Sequence, residues 1–259
     1  MQTWPKHSAN WNKLGAPMRP TPSVVKLMQD LAGDNQILLM GVTPELHAAF
    51  NNIVAVDRDS GMIERVWPGN TVTKTVIQCD WMSIAWNDIP PITAVVGDCA
   101  LPMLSNLDNM RIFQQNCYDK LESGGVFVQR LFMRPENPYT RDDLLKIMSE
   151  PAQINFHAFK WVMCMAIAAE FGYSMSDPQR YDYFNTLCNN REKLANDTGW
   201  GSDAIETIEM YCDGKQTIGF CDRAEIFNTI PIDAVDVKFL YTDDYDLAEH
   251  CPIVFWRKP

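Results

Sequence analysis

The stretch QILLMGVTPEL, residues 36–46, decides the fold, because a strand, a tight turn and the start of a helix follow one another within it. Residues 37–40 are apolar and stop at Gly41, and the Thr43-Pro44 pair that follows is typical of a helix N-terminus. A second apolar run, NIVAVD, ends on Asp57. In dinucleotide-binding sheets, an acid about 20 residues beyond the glycine turn binds the ribose hydroxyls. The pattern therefore predicts a nucleoside site where these two strands end.

The same turn is poorly suited to a pyrophosphate. Thr43 and Glu45 stand where a dinucleotide fingerprint has its second and third glycines. Pro44 has no N–H to donate, and the Glu45 carboxylate would repel a phosphate at the helix N-terminus. We therefore expect an adenosine that carries a cationic tail, rather than NAD or FAD.

Composition excludes several classes of protein. The chain has 259 residues, of which 46% are hydrophobic and 21% charged, and no apolar run approaches the roughly 18 residues that a membrane span needs. The first residues, MQTWPKHSANW, lack an apolar signal core. The eight cysteines form no CxxC pair and resemble reduced core residues rather than a disulfide frame or zinc site. We expect a cytoplasmic protein with no metal site.

The charge argues against a nucleic acid as the main partner. The formal net charge is −11, and no basic run compensates it, although a local basic groove is left open. A small-molecule substrate is favoured.

Short apolar runs alternate with helical segments, which predicts a doubly wound α/β sheet. The predicted strands are 37–40, 53–56, 75–79, 93–97 and 125–132, with a terminal antiparallel hairpin of 236–243 and 251–259. The predicted helices are 23–31, with Ser23 as N-cap, and 44–50, 60–66 and 107–121, with Gly124-Gly125 as the turn after the last. Residues 140–230 read as a helical insertion, with helices at 141–149, 152–171, 177–195 and 202–212. The sheet domain is thus expected to comprise residues 1–139, including an aromatic and proline-rich arm, and 231–259.

Acidic residues follow three of the predicted strands. Asp57, Asp80 and Asp98 would share one rim of the sheet with Gly41, where ligands of open α/β sheets bind. Each could instead be an ordinary turn acid or cap, although Gly97 beside Asp98 would let backbone approach a ligand.

With these residues, the chain resembles the class I S-adenosylmethionine-dependent methyltransferases over residues 23–135 and again at the C-terminal hairpin. The resemblance implies a seven-stranded Rossmann-like sheet whose last strand is antiparallel, with S-adenosyl-L-methionine as cofactor. The cofactor-binding residues that it implies are Gly41, Val42 and Thr43 in the first motif, Asp57 on the ribose, Arg58 and Met62 flanking the adenine, Asp80 near the adenine amino group, Trp81 beside the ring, and Asp98 near the methionine part. Trp81 is equally compatible with a plain core position.

The chain departs from the family's pattern at Leu39, where the first strand usually carries an acid that helps to hold the methionine amino group. Glu45, Asp98 or the N-terminal arm would have to supply that contact. Arg19 in the arm is a candidate for the cofactor's carboxylate, or a surface arginine.

The expected activity is methyl transfer to a small molecule. Two alternatives are a protein that binds S-adenosylmethionine or S-adenosylhomocysteine without catalysis, and a nucleotide-dependent oxidoreductase with a degenerate glycine turn. The substrate-binding candidates are Arg130 and Arg134, for an anionic group or for ion pairs with acids such as Glu136, and His157, as a general base or a satisfied buried histidine. The sequence assigns no catalytic residue, acceptor or oligomeric state.

Overall fold

A computed structural model describes residues 5–259, so the first four residues of the predicted arm lie outside the described part of the chain. The strands are numbered along the chain as β1 Gln36–Met40, β2 Asn52–Asp57, β3 Lys74–Gln78, β4 Ile92–Asp98, β5 Leu121–Arg130, β6 Ser174–Ser176, β7 Thr217–Gly219, β8 Val235–Leu240 and β9 Ile253–Arg257.

Seven of these strands form one sheet in the order β3-β2-β1-β4-β5-β9-β8, and β6 and β7 form a separate antiparallel pair. Neighbouring strands among β1 to β5 are parallel, whereas β9 lies antiparallel to both β5 and β8. The predicted seven-stranded, doubly wound sheet with an antiparallel last strand and a terminal hairpin is confirmed.

The helices follow the same numbering: α1 Pro5–Ala9, α2 Pro22–Ala32, α3 Pro44–Ala49, α4 Ser60–Arg65, α5 Leu107–Lys120, α6 Arg141–Ser149, α7 Phe156–Phe171, α8 Asp177–Leu187, α9 Arg191–Thr198, α10 Ser202–Glu206 and α11 Arg223–Phe227. Helix α2 begins earlier than predicted, because the Thr21 hydroxyl, rather than Ser23, accepts from the Val24 N–H and Pro22 takes the first turn.

The predicted helix 177–195 is two helices. Cys188 after α8 is extended, and the Asn190 side chain caps a new helix by accepting from the Lys193 N–H at 2.9 Å. Similarly, α10 passes into a 3₁₀ helix at Thr207–Tyr211, and α7 begins only at Phe156 because Asn155 caps it.

The Gly124-Gly125 turn was predicted wrongly. Helix α5 ends at Lys120 and β5 begins at once, so the glycines lie within the strand. Gly124 has φ +78°, and the β4–β5 register jumps there from Ile92 opposite Leu121 to Ala94 opposite Val126. This irregularity is stabilised by two backbone hydrogen bonds to Lys258 at the end of the chain.

Hydrophobic clusters cover both faces of the sheet. Helices α2, α3 and α4 pack on one face and α5 on the other, and β1 is buried on both sides. A third cluster surrounds α7, in which every residue from Phe156 to Ala168 is buried, and it also includes Phe132, Leu247 and Cys251 from outside residues 140–230. All eight cysteines are free thiols. No helix within residues 5–259 is both long and apolar enough to cross a membrane.

Candidate functional site

A cleft opens at the carboxyl ends of β1, β2 and β4, where ligands of open α/β sheets bind, and its space, including the part open to solvent, is about 790 Å³. Three parts of the chain line this cleft. The strands of the sheet and the segments that follow them contribute Met40, Gly41, Val42, Thr43, Asp57, Met62, Trp81, Asp98, Cys99 and Met103. The N-terminal arm contributes His7, Trp11, Leu14 and Met18, and residues 140–230 contribute Trp161, Arg180 and Tyr211. The structure therefore brings seven of the predicted cofactor residues together in one cleft.

The glycine turn leaves space beside the acid of β2. Gly41 has φ +90°, which favours glycine, and a Cβ at this position would lie 3.9 Å from Asp57 Oδ2. Thr43 is the N-cap of α3, although its side chain accepts no capping hydrogen bond. The backbone at Gly41 can thus approach a ligand held by Asp57.

Asp57 ends β2, and its Oδ1 accepts from the Asp59 N–H at 2.8 Å. Burial raises the pKa of its carboxyl to about 6. A hydroxyl that donates to this carboxylate would favour the charged form, which is what a ribose would provide.

A second cleft of about 470 Å³ adjoins the first and shares Asp57, Trp81 and Met103 with it. Arg58 lies in this smaller cleft, where its guanidinium bonds Asp80 Oδ2 at 3.0 Å and the Gln216 side chain. Met62 faces the larger cleft instead, so Arg58 and Met62 do not line the same space.

Asp80 and Trp81 are both fixed by hydrogen bonds. Asp80 caps the 3₁₀ helix Trp81–Ser83, its Oδ1 accepting from the Met82 N–H at 2.9 Å. The Trp81 indole donates to the Val56 carbonyl at 2.7 Å, which places its ring between the two clefts. Asp80 therefore acts as a cap and an ion-pair partner of Arg58, and its role towards an adenine stays a prediction.

Asp98 is held by a buried arginine. Arg130 Nε and Nη2 bond its two carboxylate oxygens at 2.5 and 3.0 Å, and the two side chains are 0% and 5% exposed. Arg130 also donates to the Pro17 carbonyl at 2.8 Å and to the Tyr245 hydroxyl at 3.3 Å. Burial raises the pKa of Asp98, against the opposing effect of the Arg130 charge.

Arg130 does not line either cleft, so it is not placed to meet a substrate as the sequence suggested. The strand register explains this, because Asp98 and Arg130 are direct partners across β4 and β5. Gly97, beside them, faces the Gln129 side chain, whose terminal amide would have to move to accept a Cβ at this position.

Arg134 and His157 also lie outside the cleft. Arg134 pairs with Glu225 at 2.7 Å and Asp222 at 3.6 Å, rather than with Glu136, and lines an open groove elsewhere. His157 is buried, and burial followed by the charge of Lys160 lowers its pKa to about 4. That pKa fits the buried, neutral histidine better than a general base near neutral pH.

Arg19 does not line either cleft. Its Nε donates to Glu45 Oε1 at 2.7 Å, and its guanidinium carbon lies 5.5 Å from the centre of the Trp11 ring. This ion pair anchors the arm to the first turn of α3, where the Arg19 charge offsets that of the Glu45 carboxylate.

Sequence reasoning missed the cleft residues that come from residues 140–230. Arg180 and Tyr211 belong to the insertion and carry no local motif, since only long-range packing brings them to the sheet. The arm offered a signal in its aromatic residues, of which Trp11 lines the cleft. Within the described residues, no three His, Cys, Asp or Glu side chains are grouped as a metal site.

The structure is similar to S-adenosylmethionine-dependent methyltransferases. CcbJ methyltransferase from Streptomyces caelestis matches with a TM-score of 0.56 at 10% identity, over 99% of this chain and 98% of that one. N-methyltransferase NodS from Bradyrhizobium japonicum WM9, in complex with S-adenosyl-L-homocysteine, matches with a TM-score of 0.52 at 10% identity, over 99% of each chain. The chain therefore has the class I methyltransferase fold.

A putative Zn-dependent alcohol dehydrogenase from Rhodobacter sphaeroides also matches, with a TM-score of 0.60 at 8% identity, over 97% of this chain and 95% of that one. At such identities each likeness concerns the fold. No protein-family model and no curated protein matches the sequence.

Proposed function

We propose that this protein transfers a methyl group from S-adenosyl-L-methionine to a small-molecule acceptor. The observation that carries the proposal is the position of Asp57 and Asp98 on one cleft beside the Gly41 turn, in a chain with the class I methyltransferase fold. Two carboxylates and no phosphate cradle suit a ligand with hydroxyls and positive charge.

The residues present fit this cofactor. The Asp57 carboxylate would accept from the ribose hydroxyls, and Trp81 and Arg58 would flank the adenine in the smaller cleft. Asp98 would face the cationic part, with Arg130 holding the carboxylate in position. When bound, the cofactor supplies a methyl group on a positively charged sulfur.

The insertion at residues 140–230 would act as a cap on the substrate side. Its Trp161 and Tyr211 are 6% and 1% exposed and line the cleft opposite the sheet, so they exclude water from it. Holding two reactants in line can contribute up to about 7–11 kcal/mol to the rate of a displacement. Positioning by the cap can therefore support transfer without a dedicated acid or base.

One observation favours binding without catalysis as the second candidate. Leu39, at the position of the family's usual acid, is fully buried in β1, so no carboxylate replaces that contact on this strand. An oxidoreductase is supported less, since Pro44 and Glu45 still follow the turn where a pyrophosphate would bind.

The proposal is tested by calorimetric titration of the full chain with S-adenosylmethionine and S-adenosylhomocysteine. We expect both to bind, and Asp57→Ala to lower the affinity at least about tenfold. The exposed Asp108→Ala is the matched control. Failure of the native protein to bind either compound would exclude the proposed cofactor.

Turnover separates the two candidates. Formation of S-adenosylhomocysteine from S-adenosylmethionine in the presence of a metabolite extract would support methyl transfer. Tight binding with no product above the Asp57→Ala background would instead support the non-catalytic alternative.

A further inference from the structure

Two cations are buried in the insertion, above the sheet. Lys160 on α7 is 1% exposed and Arg180 on α8 is 2% exposed. Asp177, which is 0% exposed, pairs with Arg180, and no salt bridge involves Lys160 in the part of the chain that the structure describes. Burial of a charge without a counter-charge is costly, so this surplus of positive charge calls for an explanation.

The hydrogen bonds of the cluster are incomplete. Asp177 is shared, because one oxygen accepts from Arg180 and the other from the Gln216 N–H at 3.0 Å. The Arg180 Nε is buried and has no oxygen or nitrogen partner among residues 5–259, although the guanidinium also reaches the Cys164 thiol, which is a weak acceptor. Lys160 donates to the Thr207 hydroxyl at 2.8 Å, whereas an ammonium group can donate three hydrogen bonds.

The surrounding groups do not supply the missing negative charge. The Cys164 thiol has a pKa of about 11, which burial raises, so it is neutral. Burial first, and then the charges of Lys160 and Arg180, lower the pKa of His7 well below its usual value. Burial and Arg180 also lower the pKa of Lys160, to about 7. The neighbourhood is therefore electropositive, in a protein whose net charge is −11.

This positive charge meets the cleft through Arg180. Its guanidinium carbon lies 4.2 Å from the centre of the Tyr211 ring, and both residues line the cleft together with Trp161 and Met103. The Lys160 ammonium lies 5.6 Å from the centre of the same Tyr211 ring. An apolar, aromatic wall thus ends at a buried cation.

We infer that this end of the cleft is the acceptor subsite, and that the acceptor is a small, flat apolar molecule bearing a carboxylate, which Arg180 binds and Lys160 helps to neutralise. The inference rests on the proposed methyltransferase function. The aromatic residues would bury the body of the acceptor, and the carboxylate would complete the unsatisfied hydrogen bonds of the cluster.

The test measures binding to the full chain saturated with S-adenosylhomocysteine. Benzoate, 4-hydroxybenzoate and phenylacetate are each titrated beside the corresponding uncharged amide. At least one acid should bind about tenfold or more tightly than its amide. Arg180→Met and Lys160→Met should each weaken binding of the acid more than binding of the amide, and so reduce that preference to less than about twofold.

Arg141→Met is the matched control, because Arg141 also lies over a tyrosine, Tyr183 at 5.7 Å, but on the exposed surface. It should keep the preference for the acid. If Arg180→Met fails to fold, Lys160→Met decides the question, since it removes a cation without leaving a carboxylate unpaired. Absence of an acid preference in all three pairs overturns the inference, as does a preference that survives both variants.

A further titration distinguishes the acceptor's carboxylate from that of the cofactor. Arg180→Met should bind S-adenosylhomocysteine and 5′-methylthioadenosine, which lacks the amino-acid part, as tightly as the native protein does. A loss confined to S-adenosylhomocysteine would assign Arg180 to the cofactor and overturn the inference. If native protein binds no S-adenosylhomocysteine, the proposed function fails and this inference with it, whereas cofactor binding without acid preference overturns this inference alone.

Discussion

Two buried arginine–aspartate pairs border the same cleft, and they differ in how completely they are satisfied. Arg130 bonds both oxygens of Asp98, a backbone carbonyl and a tyrosine hydroxyl. Arg180 shares Asp177 with a backbone N–H and has a buried Nε without an oxygen or nitrogen partner among the described residues. The first pair joins the sheet to the N-terminal arm, whereas the second leaves positive charge at the cleft. Burial alone therefore does not distinguish a structural arginine from a binding one.

The largest effect is expected for Arg130→Met. The change leaves the Asp98 carboxylate buried without its counter-charge, which should lower the free energy of unfolding by about 3–5 kcal/mol. Urea unfolding followed by circular dichroism measures it. Arg111→Met, on the exposed surface of α5, is the control and should cost less than about 1 kcal/mol. Equal losses in Arg130→Met and Arg111→Met would mean that the buried Arg130 contributes no more to stability than an exposed arginine does.

Lys160→Met should stabilise the protein, by about 1–4 kcal/mol at pH 6, because it removes an unpaired buried cation. Burial and Arg180 lower the pKa of Lys160 from 10.5 to about 7. At a pH between these two pKa values, Lys160 is protonated in the unfolded chain and neutral in the folded chain. The cost of burying its charge in the folded state is therefore full below about pH 7 and shrinks as the pH rises.

The gain in Lys160→Met should accordingly be smaller at pH 8.5 than at pH 6, as measured by urea unfolding at each pH. Arg180 and Cys164 also face Lys160, and the Cys164 thiol stays neutral across this range, since burial raises its pKa to about 11. The neighbouring His7, whose pKa is held well below its usual value, stays neutral. Exposed Lys146→Met should show no such pH dependence, and a destabilised Lys160→Met would argue against a surplus of positive charge.

Arg180→Met should cost less than Arg130→Met, about 1–3 kcal/mol, although it too leaves a buried carboxylate. Asp177 keeps its hydrogen bond from Gln216, and Lys160 loses a repulsive neighbour. Urea unfolding of Arg180→Met and Arg130→Met under identical conditions measures the difference between their free energies of unfolding. A cost for Arg180→Met that matched Arg130→Met would make both arginines structural.

The smallest effect is expected for Tyr245→Phe, which removes the 3.3 Å hydrogen bond to Arg130 and keeps the ring. A net loss of about 0.5–1.5 kcal/mol is expected. Thermal unfolding midpoints of this variant and of Tyr183→Phe, whose hydroxyl bonds the exposed Glu170, provide the comparison. A loss above that range would mean that Tyr245 also supports the arm by packing.

The fold was predictable because local patterns carry it. The runs ILLM and NIVAVD predict buried parallel strands, and the positions of Gly41 and Asp57 follow from them. The break at Cys188 was missed because capping by Asn190 competes with helix propensity over a few residues. Arg130 was misplaced for a different reason, since its partner Asp98 is determined by the register of two strands, which the sequence does not state.

The upper wall of the cleft could not have been predicted in the same way. Trp161, Arg180 and Tyr211 come from three helical segments whose contacts with the sheet are set by tertiary packing. Nothing in the sequence around Arg180 separates it from the exposed arginines of the insertion. The predicted cofactor residues of β1 and β2, by contrast, lie next to each other because neighbouring strands pair.

The bond from Arg130 to the Pro17 carbonyl has a kinetic consequence. The arm also binds Glu45 through Arg19 and contributes Trp11 and Met18 to the cleft, so residues near the start of the chain lie over a site formed by strands far along it. A bound molecule would therefore touch the arm, the sheet and residues 140–230 at once, and would hold the arm against the sheet. Trypsin digestion should report this, because cleavage after the exposed Lys13 would slow as the cleft fills, under conditions in which the chain as a whole stays folded.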